Sequence, residues 1–128
     1  MLKLQAKRGF SLIEIIVVLI IIGVLGGLVY PTYTNTIERT RTGEALEILG
    51  SMRRAQEAYS LEFGTYATNP ALLDVTMTTP TYFDAPTIGG TASAPFLLIN
   101  RTGDGYRLNM TIAGTVTCTG VDCTRIGY

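Results

Sequence analysis

The sequence predicts an α+β fold: one long N-terminal helix, apolar in its first half and amphipathic in its second, packed on a small antiparallel β-meander. Three observations predict it. An apolar block fills 10–30 and passes without a strong stop into residues whose apolar positions recur every three or four. Beyond Gly64 the composition shifts to Thr, Pro, Ala and Gly. The last third then sets short β-prone runs between turn residues.

The helix comes first, predicted from Phe10 to about Leu61. Its block 10–30 has 21 residues, enough to span roughly 30 Å of hydrocarbon. Lys3, Lys7 and Arg8 precede it, and a cationic head before an apolar stretch is the design of an exported chain. No small-x-small cleavage site follows, since Leu28, Val29 and Tyr30 prolong the apolar run. The block therefore reads as a retained anchor, with the cationic head cytoplasmic and the remainder outside. Gly23, Gly26, Gly27 and Pro31 weaken the helix within it. Two readings stand: a tolerated kink, or a stretch that loses helicity on leaving lipid. Thr32, Thr34, Asn35 and Thr36 mark the emergence into polar surroundings.

From Ala45 the apolar positions Ala45, Ile48, Leu49, Met52, Ala55 and Tyr59 form one face, with Arg53, Arg54 and Glu57 largely on the other. Gly64 suits a left-handed cap. An irregular connection is expected over 64–95, with one helical turn at 70–74 after an Asn69 cap. Strands are expected at 96–100, 106–112 and 115–117, with a weaker one at 81–83. A hairpin turn at 101–105 joins the first two. The domain reading is 1–9 leader, 10–37 apolar helix and 38–128 globular head.

Composition narrows the function. The 128 residues are one domain's worth. With no His, the Ser-His-Asp and Cys-His nucleophile sets and His-ligated zinc are excluded. The formal charge is zero, but three of the ten basic residues precede Phe10, so the rest of the chain is acidic. Dispersed arginines on an acidic chain argue against nucleic-acid binding. Asp84, Asp104 and Asp122 form no ordered ligand series, so turn chemistry explains them better than calcium. Asn100 and Asn109 begin glycosylation-type triplets to which no role is assigned. No cofactor, metal or catalytic set is implied, and the chain reads as a non-enzyme. Cys118 and Cys123 are too few for a thiolate metal site, and outside the cytoplasm a disulfide is the expected state.

Glu14 is the one charged residue of the apolar block. A charge at the centre of a membrane helix costs ~2.5–3.5 kcal/mol, and less near an end. Either Glu14 snorkels to the headgroups, or it waits for a cation that arrives on assembly.

Arg8, Gly9, Phe10, Ser11, Leu12, Ile13 and Glu14, followed by the apolar helix, closely resemble the processing motif of type IV prepilins and pseudopilins. The resemblance implies that a prepilin peptidase cuts between Gly9 and Phe10 and methylates the new amino group of Phe10. It implies that Glu14 pairs with the N-terminal amine of an adjacent subunit. It also implies that the stretch around Gly23, Gly26, Gly27 and Pro31 extends in filaments, and that the head is pilin-like. The partners it implies are further copies of the chain, other pilins, the prepilin peptidase, an inner-membrane platform protein and an assembly ATPase. The expected function is a pilus subunit, held in the inner membrane and then displayed at the cell surface. A periplasmic type II secretion pseudopilin stays open beside it, as does a single-pass anchored binding domain.

Overall fold

The structure is a computed structural model that describes residues 9–103 and 105–128. Lys3, Lys7 and Arg8, on which the expected leader rests, and Asp104 of the expected hairpin turn lie outside the described residues. The chain divides into two units, Met1–Thr34 and Asn35–Tyr128. The helix α1, Leu12–Phe63, contributes to both.

Within the second unit one stripe of α1 is buried: Glu38, Thr42, Ala45, Leu49, Met52 and Gln56. Their spacing alternates four and three, which keeps them on one face of a helix with 3.6 residues per turn. Against that face lies a four-stranded antiparallel sheet in the order β1-β2-β3-β4. Its strands are β1 Thr87–Thr91, β2 Ala94–Asn100, β3 Tyr106–Thr111 and β4 Val116–Gly120. Strand alternation sends Leu97 and Ile99 of β2, and Tyr106, Leu108 and Met110 of β3, into the core. Ile99 sits opposite Leu108, and Leu97 opposite Met110. Phe83, Leu73 and Ala67 from the connection complete the cluster, with Ile126 of a one-turn helix α2, Cys123–Ile126. Each fully buried aliphatic side chain contributes roughly 1.5–3 kcal/mol.

Several elements differ from expectation. The connection predicted over 64–95 contains the whole of β1 and the start of β2. Gly89 and Gly90, inside the stretch expected to be irregular, belong to β1, and the Phe96 ring lies across them. A Cβ built on Gly89 would run into that ring, and Gly90 takes φ +83°. The turn that follows β1 is the pair Ala92 and Ser93, between Thr91 and Ala94. Strand β4 runs further than 115–117, and the 81–83 segment yields only a single bridge, Phe83 to Arg101. The turn at 70–74 is a 3-10 turn, Pro70–Leu72, capped by the Asn69 side chain, which accepts from Ala71 N at 3.0 Å. Helix α2 was not foreseen, because four residues are too few to show a period.

Candidate functional site

Gly9 and Phe10 precede α1 and are exposed, so the peptide bond between them lies outside regular structure. Ser11 offers its carbonyl to the amides of Glu14 and Ile15, at 3.1 and 3.3 Å, and α1 begins there. Glu14 thus sits in the first helical turn, where unpaired N–H groups favour a carboxylate. Its carboxylate is exposed and has no hydrogen-bond or ion-pair partner among the described residues. That local effect gives Glu14 a reason to be tolerated. It does not satisfy a carboxylate in hydrocarbon.

The following 19 residues, Leu12–Tyr30, have a mean hydropathy of 3.0 and none is buried. The least exposed large side chains among them, such as Ile15, Val17 and Val18, still expose 46% of their surface. The segment is long and apolar enough to cross a membrane. Gly23, Gly26, Gly27 and Pro31 all fall within α1. A Cβ placed on any of these glycines meets nothing within 4 Å, so nothing in this chain requires glycine there.

In the second unit, polar groups from α1 tie the connection and the sheet together. Glu38 is buried and pairs with Arg101, whose side chain is also almost covered. The Tyr106 hydroxyl donates to Glu38 Oε1 at 2.9 Å, and Arg41 approaches Oε2 at 3.2 Å. The Arg101 hydrogen bonds, with the Tyr106 hydroxyl and the two guanidinium charges, hold the Glu38 carboxyl below its ordinary range despite burial. One turn and a half further on, Glu44 accepts the backbone amides of Thr81 and Tyr82 at 2.7 and 3.1 Å. These bonds, Thr81 first, lower its pKa as well. Arg101 donates to Tyr82 O, while Arg41 lies 4.7 Å over the Tyr82 ring. At the other end, Gln56 is fully buried and closes a two-bond clasp with the backbone of Ala67, at 2.8 and 2.9 Å. Arg53 pairs with Glu57 as its spacing suggests, and it also donates to Ile112 O at 2.7 Å.

The apolar stripe read from Ala45 stopped short of these polar residues. Continuing it backward by three and then four reaches Thr42 and Glu38, and forward from Met52 by four reaches Gln56. That period was the available signal. Cys118 of β4 and Cys123 of α2 form a disulfide across five positions of sequence. Asn100 ends β2, whereas Asn109 lies within β3 and donates to the Thr119 hydroxyl at 3.2 Å. Among the described residues no cluster of His, Cys, Asp and Glu could hold a metal ion.

Comparison with known proteins adds three findings. Residues 4–30 match the family described as the prokaryotic N-terminal methylation motif. Over nearly the whole chain, fimbrial protein Q of Moraxella bovis is 30% identical across 123 residues, which is 88% of this chain and 78% of that protein. Type II secretion system core protein G of Escherichia coli (strain K12) is 35% identical over 100 residues, 78% of this chain and 61% of that one. Fimbrial protein EcpC of Eikenella corrodens is 32% identical over 78 residues, 61% of this chain and 50% of that protein. The chain spans about half the length of several curated relatives it matches, EcpC among them. In fold it is similar to the crystal structure of the non-core minor pilin PilV of Neisseria meningitidis. There the TM-score is 0.59 at 18% identity, covering 73% of this chain and 98% of that one.

Proposed function

The chain belongs to the family of type IV pilins and type II secretion pseudopilins, and from that premise we propose that it is a structural subunit of a type IV pilus-like filament. It is made as a prepilin with leader 1–9, cut between Gly9 and Phe10, and methylated at Phe10. It is anchored in the inner membrane by 10–37 and carries the head 38–128 outside. One observation carries this reading: the segment Leu12–Tyr30, which begins within the processing motif, buries none of its residues in its own chain. So large an apolar surface is stable in lipid or against other copies of the same helix, and not in water. Glu14 is the register element. An unpaired carboxylate in the apolar layer favours docking where a neighbour's Phe10 amine meets it, since a buried charge without its partner is costly.

Partners of this function are the prepilin peptidase, a platform protein, an assembly ATPase, other pilins and further copies of the chain. Glycine at 23, 26 and 27 and Pro31 make the helix able to extend locally as it passes from lipid to filament. Mass spectrometry of the native chain tests the processing step. An N-methylated Phe10 start is expected, and an intact Met1 start would sink it in favour of a single-pass anchored binding domain. Glu14→Ala should leave membrane insertion intact and abolish fibres.

The similarity to type II secretion core protein G favours a second reading, a periplasmic pseudopilus. Isolating sheared surface fibres and finding this chain in them supports the pilus. Its confinement to the envelope beside a secretion apparatus supports the pseudopilus.

A further inference from the structure

Among the described residues, the carboxylates of Glu47, Glu62 and Asp74 and the guanidiniums of Arg39, Arg54 and Arg107 form no hydrogen bond or ion pair. Two of those carboxylates line one cavity. Glu62 and Asp74 stand at the rim of a cavity of about 380 Å³ whose apolar walls include Tyr59, Phe63 and Leu72. The Tyr59 and Phe63 rings lie 4.4 Å apart, and Phe63 and Leu72 remain more than half exposed. Helix α1 ends at this cup, and its last turn holds no basic residue. The partial negative charge of a helix C-terminus is therefore compounded by Glu62 where a cation would be favoured. Apolar walls, two adjoining rings tilted by 32°, two carboxylates and an uncompensated helix end together fit a guanidinium on an aliphatic stem.

We propose that a second copy of this chain docks Arg39 in the cup formed by Tyr59, Phe63, Leu72, Glu62 and Asp74, as a head-to-tail contact between globular domains along the filament. The inference rests on the filament reading above. Arg39 is exposed and lies on α1 roughly 35 Å before Glu62, at 1.5 Å per residue, at the opposite end of the head's stretch of helix. Its guanidinium runs beside Gly127, where a Cβ would come within 3.4 Å of Nη2, so its side chain is partly held before docking. Arg54 instead borders a separate hollow with Glu47, and Arg107 stands on the outer face of β3. A cup at one end and its cation at the other make a heterologous contact. Such a contact does not close on itself, and it repeats for as long as copies are added.

The test uses the full-length chain in its native host. Arg39→Cys combined with Asp74→Cys, mildly oxidised in sheared fibres, should give a ladder of covalently joined subunits, and Arg107→Cys with Asp74→Cys should not. Arg39→Glu should lower fibre yield about tenfold, the equivalent of one lost charge pair. Adding Glu62→Arg and Asp74→Arg in the same chain should restore it, with membrane-held subunit levels unchanged throughout. Fibres at full yield from Arg39→Glu, or a ladder only when Arg54 or Arg107 supplies the cysteine, overturn the docking while leaving the subunit reading in place. Absence of fibres and of a Phe10 start in the unmodified chain overturns both.

Discussion

The two units of this chain solve the problem of apolar surface in opposite ways. The head, Asn35–Tyr128, buries Leu49, Leu97, Ile99 and Leu108 between α1 and the sheet, and it gives the buried side chains of Glu38 and Gln56 matched partners. The segment Leu12–Tyr30, with a mean hydropathy of 3.0 over 19 residues, buries nothing. Stability in the head is a property of one molecule. In the N-terminal segment it is a property of the surroundings, lipid or neighbouring helices. The same helix, α1, serves both regimes, so its residues obey two sets of rules on either side of Thr34.

The sharpest way to break this contrast is to separate the units. Residues 35–128 produced alone should be soluble without detergent and unfold in one cooperative thermal transition, whereas the full chain should require detergent. Aggregation of the short chain on size exclusion would show that the head depends on the segment.

Glu38→Ala should destabilise the head by about 3–5 kcal/mol in urea unfolding, because Arg101 would be left buried without its carboxylate. The same pair predicts a pH dependence. Glu38 has its pKa lowered from the ordinary 4.5, so its contribution is complete above that value. Stability should then fall as the pH drops below about 4.5 toward the depressed folded value, and Glu38→Gln should flatten that fall.

Leu108→Ala, a cavity in the centre of the sheet, should cost about 2–5 kcal/mol. Leu19→Ala in the apolar segment should leave head unfolding unchanged in detergent. A comparable loss from both would erase the distinction between the units. Replacing Cys118 and Cys123 by Ser should cost the least, about 2 kcal/mol, since the bridged loop is short. Differential scanning calorimetry with and without reductant measures it.

Much of this was legible in the sequence. The helix, the hairpin around 101–105 and the two central strands follow from period and turn chemistry, and the processing motif is contiguous. What escaped has physical causes. Strand β1 was hidden because glycine carries no β-forming side chain; what covers Gly89 is the Phe96 ring opposite it on β2, a cross-strand contact that leaves no mark in the composition of β1. Glu38, Thr42 and Gln56 fall outside the apolar stripe because a hydropathy pattern cannot tell a satisfied buried polar group from an exposed one. Their partners, Arg101, Tyr106 and Ala67, lie up to 68 positions away in the chain.

The placement of Glu38 and Gln56 at the two ends of the buried stripe has a consequence for how the head finds its shape. An aliphatic stripe alone would allow α1 to slide along the sheet by a turn at little cost, one leucine replacing another. With a carboxylate at one limit and an amide at the other, a one-turn slip drags an ion into hydrocarbon and strands Arg101, a penalty of several kcal/mol. The two polar residues work as end stops on a rail, so that wrongly seated arrangements are expelled while the apolar centre is still forming.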